Sequence, residues 1–139
     1  MSVIEPAPKL NKILGELPGV KYVFTNGSMA HAENVMARLG IAERFSGVQD
    51  IKDNSYIPKP DLSAYTAIIS RFGLSVESTI MLDDIPDNLL PAANLGISTV
   101  WVRNDRWAGY EVAEHICYMT DNLTHWLCRV LEGEISFRR

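Results

Sequence analysis

Apolar positions along this chain fall into two periods that alternate from end to end. Leu10, Ile13, Leu14 and Leu17 share one helical face, and Pro18-Gly19 halts the run, so residues 8–17 are expected to be a helix. Residues 20–24 are mostly β-branched or aromatic and are expected to be a short strand. Thr25-Asn26-Gly27-Ser28 breaks it. Ala32, Val35, Met36 and Leu39 then form a second helical stripe, with Ser28 as N-cap and Gly40 as stop. A strand at 47–51 follows, and then a polar loop at 52–60 carrying Pro58-Lys59-Pro60. Asp61 is placed to cap a helix whose face is Leu62, Tyr65, Ile69 and Phe72, ended by Gly73.

The second half repeats the alternation. Residues 79–82 form an apolar strand that runs straight into Asp83-Asp84. A short helix is expected at 87–95, ended by Gly96, then a strand at 98–102 and a loop at 103–110 containing Trp107. A weaker strand at 116–119 leads to Asp121, the expected cap of a final helix carrying Leu123, Trp126, Leu127, Val130 and Leu131. The tail from Gly133 to Arg139 is expected to fray. With no hairpin signal, these units read as α/β: helices on both faces of a mainly parallel sheet of about five strands.

Composition narrows the picture. The 139 residues suit one domain, and 47% hydrophobic against 22% charged residues is inconsistent with a mainly disordered chain. Lys and Arg number 13 against 17 Asp and Glu, a net charge of −4 without a basic stripe, so no nucleic-acid partner is expected. No apolar run reaches a membrane-spanning length, so no membrane partner is expected either. Cys117 and Cys128 lie among apolar neighbours and are expected to be buried free thiols, which fits a reducing cytoplasm. His31, His115 and His125 are scattered, and solvated or packing roles are expected for them; Trp101, Trp107 and Trp126 read as core or loop anchors.

Ligands of open parallel sheets bind at the carboxyl ends of the strands. There the sequence places Thr25 and Asn26, then Lys59 in a loop, then Asp83 and Asp84, with Asp87 and Asn88 one turn on. A hydroxyl, an amide and a cation suit phosphate oxygens, and the carboxylates suit Mg²⁺. Taken singly, each has a plainer reading: a turn with a helix cap, a stiff loop with a solvated lysine, an acidic helix start.

In this order, KYVFTNGS at 21–28, YIPKPD at 56–61 and TIMLDDIPDNL at 79–89 resemble the haloacid dehalogenase (HAD) superfamily, most closely its pyrimidine 5′-nucleotidase branch. The resemblance implies a HAD-like Rossmannoid three-layer sandwich. It implies phosphate binding by Thr25, Asn26 and Lys59, with Lys59 also stabilising charge in catalysis. It further implies a weak Mg²⁺ site at Asp83, Asp84 and Asp87, with Asn88 at a further common position. Ile85 and Pro86 depart from the small polar residues usual there.

The family's first motif, Asp-x-Asp with its nucleophile, has no counterpart: only 24 residues precede Thr25, and the first aspartate is Asp50. Residues 1–139 therefore read as a single truncated HAD-like core whose central nucleophile strand is missing. The resemblance implies a family sheet ordered 3-2-1-4-5. Without strand 1, the flanking strands could pair directly in a flavodoxin-like order, or a strand from another chain could fill the gap. Open edges would favour a homo-oligomer. The functional expectation is a domain of phosphatase or nucleotidase ancestry without independent hydrolase activity, able to bind a small phosphate-like anion. Two alternatives are an active phosphohydrolase whose nucleophile comes from another chain and a non-catalytic structural or oligomerising module.

Overall fold

The computed structural model describes residues 6–107, 109–110 and 113–135, with the side chain of Trp107 outside that description. Helix α1 (Pro8–Glu16) begins with proline at a first-turn position, where a missing N–H costs nothing. Strand β1 (Tyr22–Phe24) is shorter than the apolar run, because Val20 lies before the ladder and is exposed. Helix α2 (Met29–Leu39) is capped by the Ser28 hydroxyl, which accepts from the His31 N–H at 3.1 Å. It stops at Gly40, whose φ of 76° is left-handed. Strand β2 (Gly47–Gln49) ends before Asp50, which turns the chain. Helix α3 (Leu62–Phe72) has the expected Asp61 cap and Gly73 stop.

Strand β3 (Ile80–Asp83) is followed by a 3₁₀ turn over Pro86–Asn88 and then helix α4 (Leu89–Asn94), so the expected helix starts as a tighter turn. Strand β4 (Ser98–Val102) is the most buried. Strand β5 (Tyr118–Thr120) sits slightly later than its apolar pattern suggested. Helix α5 (Leu123–Leu131) is capped by Asn122 rather than Asp121: its Oδ1 accepts from the His125 N–H at 3.0 Å. The Thr120 hydroxyl decides this by accepting from the Asn122 N–H at 3.1 Å, which fixes the turn one residue later. No described helix is long and apolar enough to cross a membrane.

All strand pairing is parallel, but it falls into two sheets. Strand β1 pairs with β2 in the register Phe24↔Gln49. Strands β3, β4 and β5 form the second sheet, with Asp83↔Trp101 and Val100↔Tyr118. Among the described residues no ladder joins β1 to β3, so the flavodoxin-like closure does not form. At the carboxyl end the Phe24 carbonyl instead accepts from Lys59 Nζ at 2.9 Å. The free side of β3 leaves Ile80 and Leu82 exposed, while Met81 packs inward.

Three apolar clusters hold the molecule together. Ile13 of α1 packs with Val100, Trp126 and Leu127, so the first helix is seated against β4 and α5. Ala64, Tyr65, Ala92 and Ile97 join α3 to α4, with Phe24 and Met81 packed on them from the two sheets. Leu89, Trp101 and Ile116 form the third. Two expectations need correction. Cys117 is exposed and Cys128 half-buried, neither a core thiol. In the tail, Ile135 packs on the first cluster while residues 136–139 lie outside the described residues. The Cys117 N–H is spent on Thr99 Oγ1 at 3.1 Å and the side chain faces outward; Cys128 Sγ donates across one helical turn to Glu132 Oε1 at 3.1 Å.

Leu89 is fully buried where the third cluster meets the site turn. Leu89→Ala is expected to lower unfolding free energy by about 2–5 kcal/mol, measured by urea denaturation.

Candidate anion and metal site at the strand ends

The strand ends of both sheets converge on one side chain. The polar loop after β2 carries Lys59, and Asn26 clasps its main chain: Lys59 N–H donates to Asn26 Oδ1 at 2.8 Å, and Asn26 Nδ2 donates to Lys59 O at 3.3 Å. The Lys59 side chain is thereby led inward, where only 7% of it stays exposed. Its ammonium donates to Phe24 O at 2.9 Å and to Asp83 Oδ2 at 2.9 Å, and lies 4.7 Å from the Phe24 ring centre. An ammonium has three N–H donors, so one remains for a ligand.

Thr25 sits at the end of β1. Its Oγ1 accepts from the Gly27 N–H at 2.9 Å, which leaves the hydroxyl hydrogen to donate. Asn26 bonds the Lys59 main chain through both ends of its amide, which positions the lysine, and the second N–H of its Nδ2 remains to donate.

Asp83 is nearly fully buried and tightly held. Besides Lys59 on Oδ2, its Oδ1 accepts from the Ile85 N–H at 2.9 Å, and Asn88 Nδ2 lies 3.4 Å from Oδ2. Asn88 is buried in turn, and its carbonyl accepts from the Tyr65 hydroxyl. Burial raises the Tyr65 phenol above its ordinary value, with the Asp83 charge adding to it, so Tyr65 stays a donor.

Asp84 faces outward. Its carbonyl accepts from the Trp101 indole N–H at 3.1 Å, and its Oδ2 accepts from Asn104 Nδ2 at 3.3 Å. Partial burial raises its carboxyl above the usual aspartate range, and the adjacent Asp83 charge raises it further. Two neighbouring carboxylates with one lysine, paired to Asp83, favour a cation. Mg²⁺ commonly binds through one or two carboxylates while keeping several waters, and Asp83 with Asp84 fits that donor set. Asp87 does not complete a third side: its Oδ1 accepts from the Tyr110 hydroxyl at 3.2 Å. No group of three acidic, histidine or cysteine residues able to hold an ion occurs among the described residues.

A supporting network lay outside the sequence reading. Asp50 Oδ2 accepts from the Met29 N–H at 2.9 Å and its Oδ1 from the Asp53 N–H at 2.8 Å. These bonds, that from Asp53 first, lower the Asp50 carboxyl below its ordinary value. Arg71 Nη1 reaches Asp53 Oδ2 at 3.0 Å and Gln49 Oε1 at 2.8 Å, tying α3 to the loop that precedes Lys59. The spacing Asp50-x-x-Asp53 was the available signal: short acidic side chains often bond main-chain N–H groups within a turn.

These parallel βα units, with an acidic pair, a lysine and a strand-end threonine at one edge, define an α/β domain with a polar site at its strand ends. A family model described as haloacid dehalogenase-like hydrolase matches residues 2–96, more than half of the chain. The chain belongs to that family. No curated protein matches the sequence. Among solved structures, L-2-haloacid dehalogenase from Xanthobacter autotrophicus with covalently bound chloropropionic acid is similar at 17% identity and a TM-score of 0.71. The match covers 91% of this chain and 61% of that one. A HAD phosphatase from Thermococcus onnurineus is similar at 20% identity and TM-score 0.70, covering 91% and 55%. The HAD-hydrolase YfnB of Bacillus subtilis, bound to magnesium, is similar at 17% identity and TM-score 0.70, covering 88% and 52%. At such identities the likeness is one of fold, and the chain spans little more than half the length of these proteins.

Two outcomes follow from the electrostatics. Lys59→Met strands the buried Asp83 carboxylate and is expected to cost about 3–5 kcal/mol of stability; Lys59→Met with Asp83→Leu should recover most of it, both read from urea denaturation. Because folding raises the Asp84 value, its ionisation opposes folding, and stability is lost as pH rises from the ordinary aspartate value of about 3.9 through the raised one. Asp84→Asn should therefore raise Tm at pH 7, with a smaller gain at pH 3.5.

Proposed function

We propose that this domain binds a small phosphate-like anion between Thr25 and Lys59, with Mg²⁺ at Asp83 and Asp84, and that these 139 residues alone do not hydrolyse phosphate esters. The observation that carries the reading is the Lys59 ammonium, buried at the strand ends with one donor to spare. The threonine hydroxyl at the end of β1 supplies a second donor. Asn26 contributes by fixing the lysine loop.

The metal follows from charge. At an effective dielectric near 20, a unit pair ~4 Å apart is worth about 4 kcal/mol before desolvation. One lysine offsets one carboxylate, and an anion arriving beside both Asp83 and Asp84 needs a further cation. When bound, Mg²⁺ would neutralise the acidic pair and draw in phosphate oxygens.

Absence of turnover rests on the aspartates. Covalent phosphoryl transfer requires a free, positioned nucleophile. Asp50, the first aspartate in the chain, has both oxygens bonded to main-chain N–H groups, and Asp83 and Asp84 are the metal's ligands in this reading. A second reading, a phosphohydrolase whose nucleophile is supplied by another chain, is favoured by the open side of β3 beside the site.

The expected result is no release of p-nitrophenol from its phosphate ester above background, with or without Mg²⁺. NMR titration should show millimolar phosphate binding that Mg²⁺ strengthens and Asp84→Asn makes independent of Mg²⁺. Binding of 2-chloropropionate in preference to phosphate would move the ligand class to haloacids. Metal-dependent turnover abolished by Asp84→Asn would overturn the inactive reading.

A further inference from the structure

Thr25 and His31 flank one small gap, left open by the glycine between them in the chain. A Cβ at Gly27 would lie 3.4 Å from Thr25 Oγ1 and 3.6 Å from His31 Cδ2. Apart from the adjoining residues Asn26 and Ser28, no other described heavy atom would come within 4 Å of it. Neither crowding nor conformation demands a glycine here, since those contacts are ordinary and Gly27 does not take a left-handed φ. What its missing side chain leaves is space against the main chain, as glycine does where a ligand comes close.

The floor of the gap is fixed. The Gly27 N–H donates to Thr25 Oγ1 at 2.9 Å, and Gly27 O accepts from the Ile51 N–H at 3.1 Å. Both walls carry unspent groups. The Thr25 hydroxyl hydrogen is free to donate. The His31 imidazole is exposed and has no hydrogen-bond or ion-pair partner among the described residues. Its main-chain N–H is spent on Ser28 Oγ at 3.1 Å. The ring atom that faces the gap, Cδ2, is bonded to Nε2, which donates when it carries the proton. Asp50, which bonds the Met29 N–H two residues before His31, has both oxygens on main-chain N–H groups and does not hold the imidazole.

The Lys59 ammonium bonds the carbonyl of Phe24, the residue before Thr25. A hydroxyl, an ammonium and an imidazole on three separate elements suit a tetrahedral oxyanion, whose oxygens diverge in space.

We propose that His31 is an anion-binding residue: its imidazole N–H takes one oxygen of a tetrahedral oxyanion, phosphate or a phosphate monoester, seated over Gly27 and held by Thr25. The proposal rests on the anion reading above and adds a side chain from α2 to it.

The test is a titration of the intact chain with inorganic phosphate at constant Mg²⁺, followed by NMR of the main-chain amides and the histidine rings. The His31 ring signals are expected to move along the same saturation curve as the Thr25 amide, while those of His125, on α5, stay in place. His31→Ala should weaken phosphate binding by about fivefold, the scale of one hydrogen bond. His31→Gln, whose amide N–H replaces that of Nε2, should keep it within about twofold of the unaltered chain. Gly27→Ala should fold normally by circular dichroism and, by filling the gap, weaken phosphate at least as much as His31→Ala. If phosphate moves neither Thr25 nor Lys59 signals, the anion reading fails and the role of His31 with it. If phosphate moves both while His31→Ala binds as tightly as the unaltered chain, the anion reading stands and the role of His31 is overturned.

Discussion

One buried ammonium holds the two halves of this molecule in register. Lys59 reaches the last carbonyl of β1 and the last carboxylate of β3 with the same nitrogen. Where a continuous sheet would use a row of main-chain bonds, this protein uses a long side chain. The substitution has a cost: a buried ion pair stabilises only when both partners are well bonded. The surroundings are arranged for that. Ile85 and Asn88 complete the shell of Asp83, the Phe24 ring lies under the ammonium, and Asn26 sets where the lysine enters. Removing any of these shifts the burden to the others.

The same arrangement separates the two acidic neighbours. Asp83 is compensated and serves the framework. Asp84 keeps a side chain toward solvent with a single amide partner, and its charge is opposed by the one beside it. A framework carboxylate next to an uncompensated one creates local negative potential at the strand ends. Asp50 is a third case: main-chain N–H groups saturate it, and it holds a loop together with no charge partner required.

The fold was legible where local chemistry decides. Ser28, Asp61, Gly40 and Gly73 act where their residue types place them, because caps depend on nearby main-chain groups. The family could be read from three short stretches because their order and spacing survive in one chain. Strand limits were less legible, because a strand ends where its partner does: Val20 has the right side chain but no ladder. The choice of Asn122 over Asp121 turned on a hydroxyl two residues upstream. The gap between the two sheets was legible as one outcome of a missing central strand, but the inward path of Lys59 and the bonds of Asn26 to the lysine main chain were not, since each depends on contacts between residues more than thirty positions apart.

The placement of α1 carries a mechanical consequence. By sequence this helix leads into β1, yet it is docked against Trp126 and Leu127 of α5, the last helix, and against Val100 of the other sheet. The first and last described helices are thus fastened to each other, in addition to the links that Lys59 and the Tyr65 cluster make between the two halves. Tension applied through the two ends of the polypeptide would load the α1–α5 contact first. Both sheets would stay unloaded until that clasp slipped.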